Sequence, residues 1–245
     1  MVPGLRLVKK LLLLFIFLAI IGGISLWAVR TFSIPVTTPT PDPIAQLKPL
    51  EVVSTKLFTN SDQSYDLLVQ IKNPNTKFGS GDVRYTIMLD DQKITGSSYI
   101  LPGQIKYIVH PAIRTTRPVI SADLKISSVA WQELDPLAVR GVQFAVTNSN
   151  LSEKRLQGFI LNNSDFDVGR VDVAVVLFDA NNEPLAVNRS TIYTFLAHTT
   201  RGFEVSWPSA FEKTAARSTI EAQANLFENS AFIRTYGGQE KFQAY

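Results

Sequence analysis

The chain has 245 residues, 45% of them hydrophobic, with no cysteine and a formal charge of +3 at pH 7. Residues 1–30 carry four Lys/Arg and no acid, which leaves 20 basic and 21 acidic residues beyond them. The greater part is therefore near neutral and gives nucleic-acid binding no electrostatic support, and without cysteine there is neither a disulfide framework nor a thiolate metal site.

The first element is the run from Leu11 to Val29, nineteen residues without an ionisable side chain. As a helix at about 1.5 Å per residue it matches the thickness of a hydrocarbon core. Arg6, Lys9 and Lys10 precede it, Arg30 closes it, and Trp27 sits where an interfacial aromatic belongs. A signal peptide is the competing reading. The run is longer than the usual apolar region of such a peptide, and no A-x-A-like site follows, so an uncleaved anchor is favoured. Three basic residues before the run against one after it predict a cytoplasmic N-terminus at 1–10 and an extracytoplasmic remainder. Ala19 and Gly23 would permit close helix–helix approach, although lipid-facing filler is the simpler reading of such a pair.

Residues 31–49 hold prolines at 35, 39, 41, 43 and 49, which predicts an extended spacer. From about Leu50 the apolar period becomes two. Tyr65, Leu67, Val69 and Ile71 mark a strand that stops at Asn73-Pro74-Asn75. Tyr85, Ile87 and Leu89 mark another, which ends in the polar turn Asp90-Asp91-Gln92. Ile105, Tyr107 and Val109, then Leu124 and Ile126, continue the pattern towards Trp131.

The layout then returns. Val142, Phe144 and Val146 open a second unit, 156–161 leads to Asn162, and 170–178 ends at Asp179. Phe203, Val205 and Trp207 form a further strand, and Ile220, Ala222, Ala224 and Leu226 the last. Asn73 and Asn162 lie 89 residues apart, as do Asp90 and Asp179, which predicts a tandem duplication. Aligned so, Ala174, Val176 and Phe178 share the face of Tyr85, Ile87 and Leu89. Yet Val171, Val173, Val175 and Leu177 make the cleaner apolar face. Either that strand is buried on both sides or its register is shifted by a bulge.

Short alternating strands with frequent turn signals predict an all-β chain: two tandem antiparallel immunoglobulin-like sandwiches, at 50–134 and 140–236, behind one transmembrane helix. Residues 134–140 are the expected joint, 209–217 a short helix begun by Ser209, and 237–245 a tail held only if Phe242 docks.

The second unit resembles the FxLYD-type domains of bacterial envelope proteins. The residues that carry the likeness are Gly158-Phe159-Ile160-Leu161-Asn162-Asn163-Ser164 and Val175-Val176-Leu177-Phe178-Asp179, followed by Asn181, Asn182 and Glu183. Val175 stands where that family has its aromatic, and Phe178 stands for its tyrosine. The first unit offers Thr86-Ile87-Met88-Leu89-Asp90 at the equivalent place. The resemblance implies a sandwich and an envelope location, and no shared catalytic residues.

Sites of chemistry are sparse. His110 and His198 belong to no metal or triad motif and are expected to be ordinary exposed histidines. Asp90-Asp91 and Asp179-x-Asn181-x-Glu183 offer oxygen ligands, but Pro184 stands where a calcium loop needs glycine, so solvated turns are expected. Arg114 and Arg117 fall in a loop that can present two guanidiniums to a partner's carboxylate or phosphate groups. Tyr99, Tyr193, Trp131 and Trp207 are expected in the core. The expected role is non-catalytic, without cofactor or evident small-molecule substrate. It is that of a membrane-anchored structural or protein-binding component of a bacterial envelope assembly (secretion, pilus or surface complex). The alternative is an anchored cell-wall glycan binder, which needs an exposed aromatic platform.

Overall fold

A strand that shows apolar side chains to one side needs a second sheet to cover them, and the chain meets that need twice. A computed structural model of the chain describes residues 3–32, 43–211, 213–228 and 232–235. The helix α1 (Pro3–Phe32) extends the apolar run at both ends through its basic flanks. Its window Lys10–Trp27 has mean hydropathy 2.3 and no buried share. Most of the expected spacer (residues 33–42) and the tail 237–245 lie outside the described residues.

Residues 47–245 are a unit of their own. The first sandwich consists of β1 (Glu51–Thr59), β2 (Tyr65–Lys72), β3 (Phe78–Leu89), β4 (Gln92–Ile100), β5 (Ile105–Ile113) and β6 (Ala122–Glu133). Its sheets run β1-β2-β5 and β4-β3-β6, all antiparallel. The helix α2 (Pro136–Gly141) follows at the joint, where the Asp135 carbonyl accepts from the amides of Ala138 and Val139. The second sandwich has β7 (Phe144–Leu151), β8 (Arg155–Asn162), β9 (Phe166–Phe178), β10 (Pro184–Phe195), β11 (Thr200–Ser206) and β12 (Arg217–Gln223). Its sheets run β11-β8-β7 and β10-β9-β12, and β13 (Phe232–Thr235) pairs the beginning of β9. Adding six to each strand number of the first sandwich gives the order of the second.

The asparagines that end β2 and β8 play the same part in both copies. Asn73 Nδ2 donates to the carbonyls of Phe78 and Leu101, and Asn162 Nδ2 to those of Phe166 and Phe195. Both are almost wholly buried, and their Oδ1 atoms accept the amides of Asn75 and Ser164. A buried amide with every group paired fixes the path of three chain segments at once.

These clamps also explain the register of β9. The first reaches five residues forward, to Phe78, and the second only four, to Phe166. One residue is missing from the second connection, so Val173, Val175 and Leu177 take the inward places of Tyr85, Ile87 and Leu89. The opposite face of β9 is buried as well. Val176 and Phe178 join Leu68 of β2, Val109 of β5 and Val187 of β10 in a third cluster, with Phe58, Tyr107 and Ala174 at its margin. The sheet β1-β2-β5 thus packs on the sheet β10-β9-β12, and the two sandwiches meet face to face. Each side chain sealed there contributes about 1.5–3 kcal/mol.

A second contact locks the pair. Phe227, beyond β12, lies against Gly79 and Gly81 of β3, where an added Cβ would stand 2.8 and 2.7 Å from its atoms. Asn225 Nδ2 donates to the Gly81 carbonyl. Only glycine admits so close an approach.

The helix expected at 209–217 is absent among the described residues. Phe211 and Ala215 pack individually on the second core, and the Ala216 amide donates to the Phe178 carbonyl. Nine residues with that competing use for their backbone do not nucleate a helix.

Candidate functional site

Of the expected anchor residues, Lys10, Leu11 and Trp27 are exposed on α1, while the side chains of Lys9 and Arg30 lie outside those described. Arg114 and Arg117 are both about four-fifths exposed. They do not converge: Arg114 stands 3.7 Å from Asp62 in the β1–β2 turn, and Arg117 3.7 Å from Asp91 in the β3–β4 turn. Thr115 Oγ1 donates to the Arg117 carbonyl at 2.6 Å and holds the loop bent between them.

The turn carboxylates are occupied with backbone work. Asp90 accepts the amides of Ile120 and Ser121 and the Ser121 hydroxyl, and the Ile120 bond above all holds its carboxyl below the usual range. Asp179 accepts the amides of Asn181 and Glu183 together with Lys213, and the Glu183 bond leads in lowering it.

Two expectations are corrected. His110 is not an exposed histidine: it is half-buried, with Nε2 2.8 Å from Tyr85 Oη and the rings edge to face. Burial, reinforced by Arg189, lowers its pKa, while burial pushes the Tyr85 phenol up to about 12. Tyr193 is not a core residue but 64% exposed. Trp207 and Tyr99 are buried and Trp131 partly so. Trp207 Nε1 donates to the Val187 carbonyl at 2.9 Å. His198 sits in a turn at φ +55°, its Nε2 2.9 Å from the Asp165 carboxylate.

The exposed Tyr193 stands on a cleft of about 750 Å³ that runs between the sandwiches. This lies within the range of small-molecule sites, about 300–1,000 Å³. One wall comes from β3, β4 and β5 (Tyr85, Tyr99, Lys106), the other from β9 and β10 (Arg170, Asp172, Arg189, Tyr193). At its depth Lys106, 7% exposed, places Nζ 3.1 Å from the centroid of the Tyr99 ring. Burial pulls the ammonium down to about 7, against the opposing pull of Asp172 and Glu221. Tyr99 Oη is buried and makes no hydrogen bond of good geometry; burial first, and then the neighbouring Asp172 carboxylate, by its charge and as an acceptor for the phenol, raise its pKa. Arg170 is bonded to Asp172 at 2.9 Å, and Glu228 accepts from Asn225.

Sequence reading had no means to find this cleft. Its two walls belong to different units, and Lys106 and Asp172 stand 66 positions apart. Tyr99 and Tyr193, both assigned to the core, were the nearest signal.

The architecture is a pair of antiparallel β-sandwiches behind one helix long and apolar enough to cross a membrane. No protein-family model matches the chain, and no curated protein matches it.

Proposed function

We propose that this protein is a single-pass, membrane-anchored component of a bacterial envelope assembly, non-catalytic, which displays its paired sandwiches outside the cytoplasm to a protein partner. The observation that carries this is the contrast between the two parts of the chain. Every described apolar side chain of α1 is exposed, whereas the sandwiches bury their apolar faces in three clusters. Lipid is the medium that relieves such a helix. The cluster Arg6, Lys9 and Lys10 favours an N-terminus in the cytoplasm. The FxLYD-like strand and turn at 175–183 favour an envelope setting. The partner meets the exposed Arg114–Arg117 loop or a sheet edge such as β7, which among the described residues pairs only with β8.

A reporter fused after Tyr245 is expected to be active only outside the cytoplasm, and the opposite activity refutes the orientation. Affinity capture from envelope extract, with wild type and with Arg114→Ala/Arg117→Ala, tests the partner. Loss of a stoichiometric protein in the variant supports the loop, and no such protein with either form refutes the protein-binding reading.

One observation favours glycan binding as a second reading. Tyr193 supplies the exposed aromatic that a sugar platform needs, and it lines a cleft rather than lying on an open face. On that reading Tyr193→Ser abolishes capture on purified wall polymer without changing the melting temperature.

A further inference from the structure

The cleft holds more than an aromatic face. Its carboxylates are satisfied, Asp172 by Arg170 and Glu228 by Asn225, but the cations Lys106 and Arg189 are not ion-paired. Among the described residues Lys106 has no carboxylate at ion-pair distance; its ammonium stands over the Tyr99 ring, with Asp172 and Glu221 acting on it from further off, and the exposed Arg189 guanidinium has no ion pair. Tyr99 Oη, on a side chain more than nine-tenths buried, lines the same space with no hydrogen bond of good geometry. Buried polar groups in a folded protein are nearly always paired, so a buried ammonium and a buried phenol without good hydrogen bonds, facing one cavity, describe the complement of something absent, and the exposed Arg189 adds charge at its rim. Ser97, Ser98, Ser190 and Thr191 add hydroxyls along the walls.

We infer that the cleft between the sandwiches binds a saccharide bearing a carboxylate, with the acid group against Lys106 and Tyr99 and a sugar ring on Tyr193. Three features specify this class. The unpaired groups at depth are two donors, an ammonium and a phenol, and they call for an anionic acceptor. Arg189, on the opposite wall, adds a second positive charge without a competing carboxylate. The serine and threonine hydroxyls and the exposed tyrosine face match the alternating polar rim and apolar face of a sugar ring. A hydrogen bond to a charged group in such a setting is worth about 1.5–3 kcal/mol, so the acid should be preferred to its neutral counterpart by roughly tenfold to a hundredfold.

This inference rests on the glycan reading of Tyr193 and adds the acid group, and the experiment separates the two. Full-length protein in detergent micelles is titrated calorimetrically with N-acetylmuramic acid and with N-acetylglucosamine, which differ in the lactyl ether that carries the carboxylate. The expected result is binding of the acid at least tenfold tighter than of the neutral sugar. Tyr99→Phe, which removes one oxygen and no volume, and Lys106→Met should each erase that preference, while Tyr193→Ser weakens both sugars. Equal binding of the two sugars overturns the acid inference and leaves the glycan reading standing. Failure of both sugars to bind overturns both. Preference for the acid that survives Tyr99→Phe and Lys106→Met places the acid group elsewhere and overturns the assignment of the cleft.

Discussion

Lys106 should cost this protein stability at neutral pH, and its replacement by methionine should return it. The side chain is 7% exposed, and its pKa falls from 10.5 to about 7 because burial penalises the ammonium. A shift of that size corresponds to about 5 kcal/mol at about 1.36 kcal/mol per unit. That is a large part of the roughly 5–15 kcal/mol that holds an ordinary domain together. The folded pKa lies below the unfolded one. Below about pH 7 both states carry the proton and the cost is felt in full; between about 7 and 10.5 only the unfolded chain binds it, so stability rises with pH; above that range the cost vanishes. The groups that face Lys106 are Asp172, Glu221 and Arg170, together with the Tyr99 phenol, which burial keeps protonated. Chemical denaturation of the full chain in micelles between pH 6 and 9.5 should show wild-type stability climbing with pH. Lys106→Met should be more stable at pH 6.5 and lack most of that slope. Parallel curves for the two proteins would mean that Lys106 is solvated in the folded state, and the reasoning fails.

Trp207→Ala opens a cavity in the second core and strands the Val187 carbonyl, so it should cost about 3–5 kcal/mol, whereas Glu204→Ala, which removes half-exposed contacts to Arg155 and Gln157, should shift the melt by less than about 1 kcal/mol. Asn162→Ala removes the donor to the buried Phe195 carbonyl and the part-buried Phe166 carbonyl and the acceptor of the Ser164 amide, and a loss of about 3 kcal/mol is expected in urea denaturation, with Asn73→Ala close behind. Gly81→Val forces Phe227 from its seat, so the melting temperature should fall and Trp or Tyr fluorescence near the cleft should change; an unchanged melt would show that the two sandwiches do not depend on that contact. Removing residues 1–135 bares Val176, Phe178 and Val187, and the remaining sandwich should aggregate or melt well below the full chain, as light scattering and circular dichroism will report.

The sandwiches were legible because half-buried strands write their burial into a period of two. Phe203, Val205 and Trp207 needed no further context, and all three are buried. The helix long and apolar enough to cross a membrane was legible for a similar reason, since nineteen residues in a row without an ionisable side chain have few uses. Where a strand is covered twice, the period disappears: β9 reads Val-Asp-Val-Ala-Val-Val-Leu-Phe, and neither face of it announces which core it serves. The repeated layout could be read because turn residues recur at fixed offsets, whereas the strand order within each sheet could not, and the one-residue slip lay in a connection whose length carries no hydrophobic signal. His110 and Tyr193 were misplaced because exposure at a strand position depends on what a second sandwich covers. The first is half-covered beside Tyr85, and the second lies on the cleft that the junction leaves open.

The burial of β9 on both faces constrains how the copies can diverge. On β3 the outward positions Arg84, Thr86 and Met88 retain access to solvent, and a mutation there meets little resistance. On β9 the outward positions Val176 and Phe178 are sealed against the first sandwich, so drift is blocked on both of its faces. The two halves of the duplication should therefore evolve at unequal rates strand by strand. The central strand of the second copy should be held nearly fixed in apolar character, and its twin in the first should be free to vary at every other residue. Recombination that deletes either copy would leave the other with an uncovered apolar face, so the pair should be inherited as one piece.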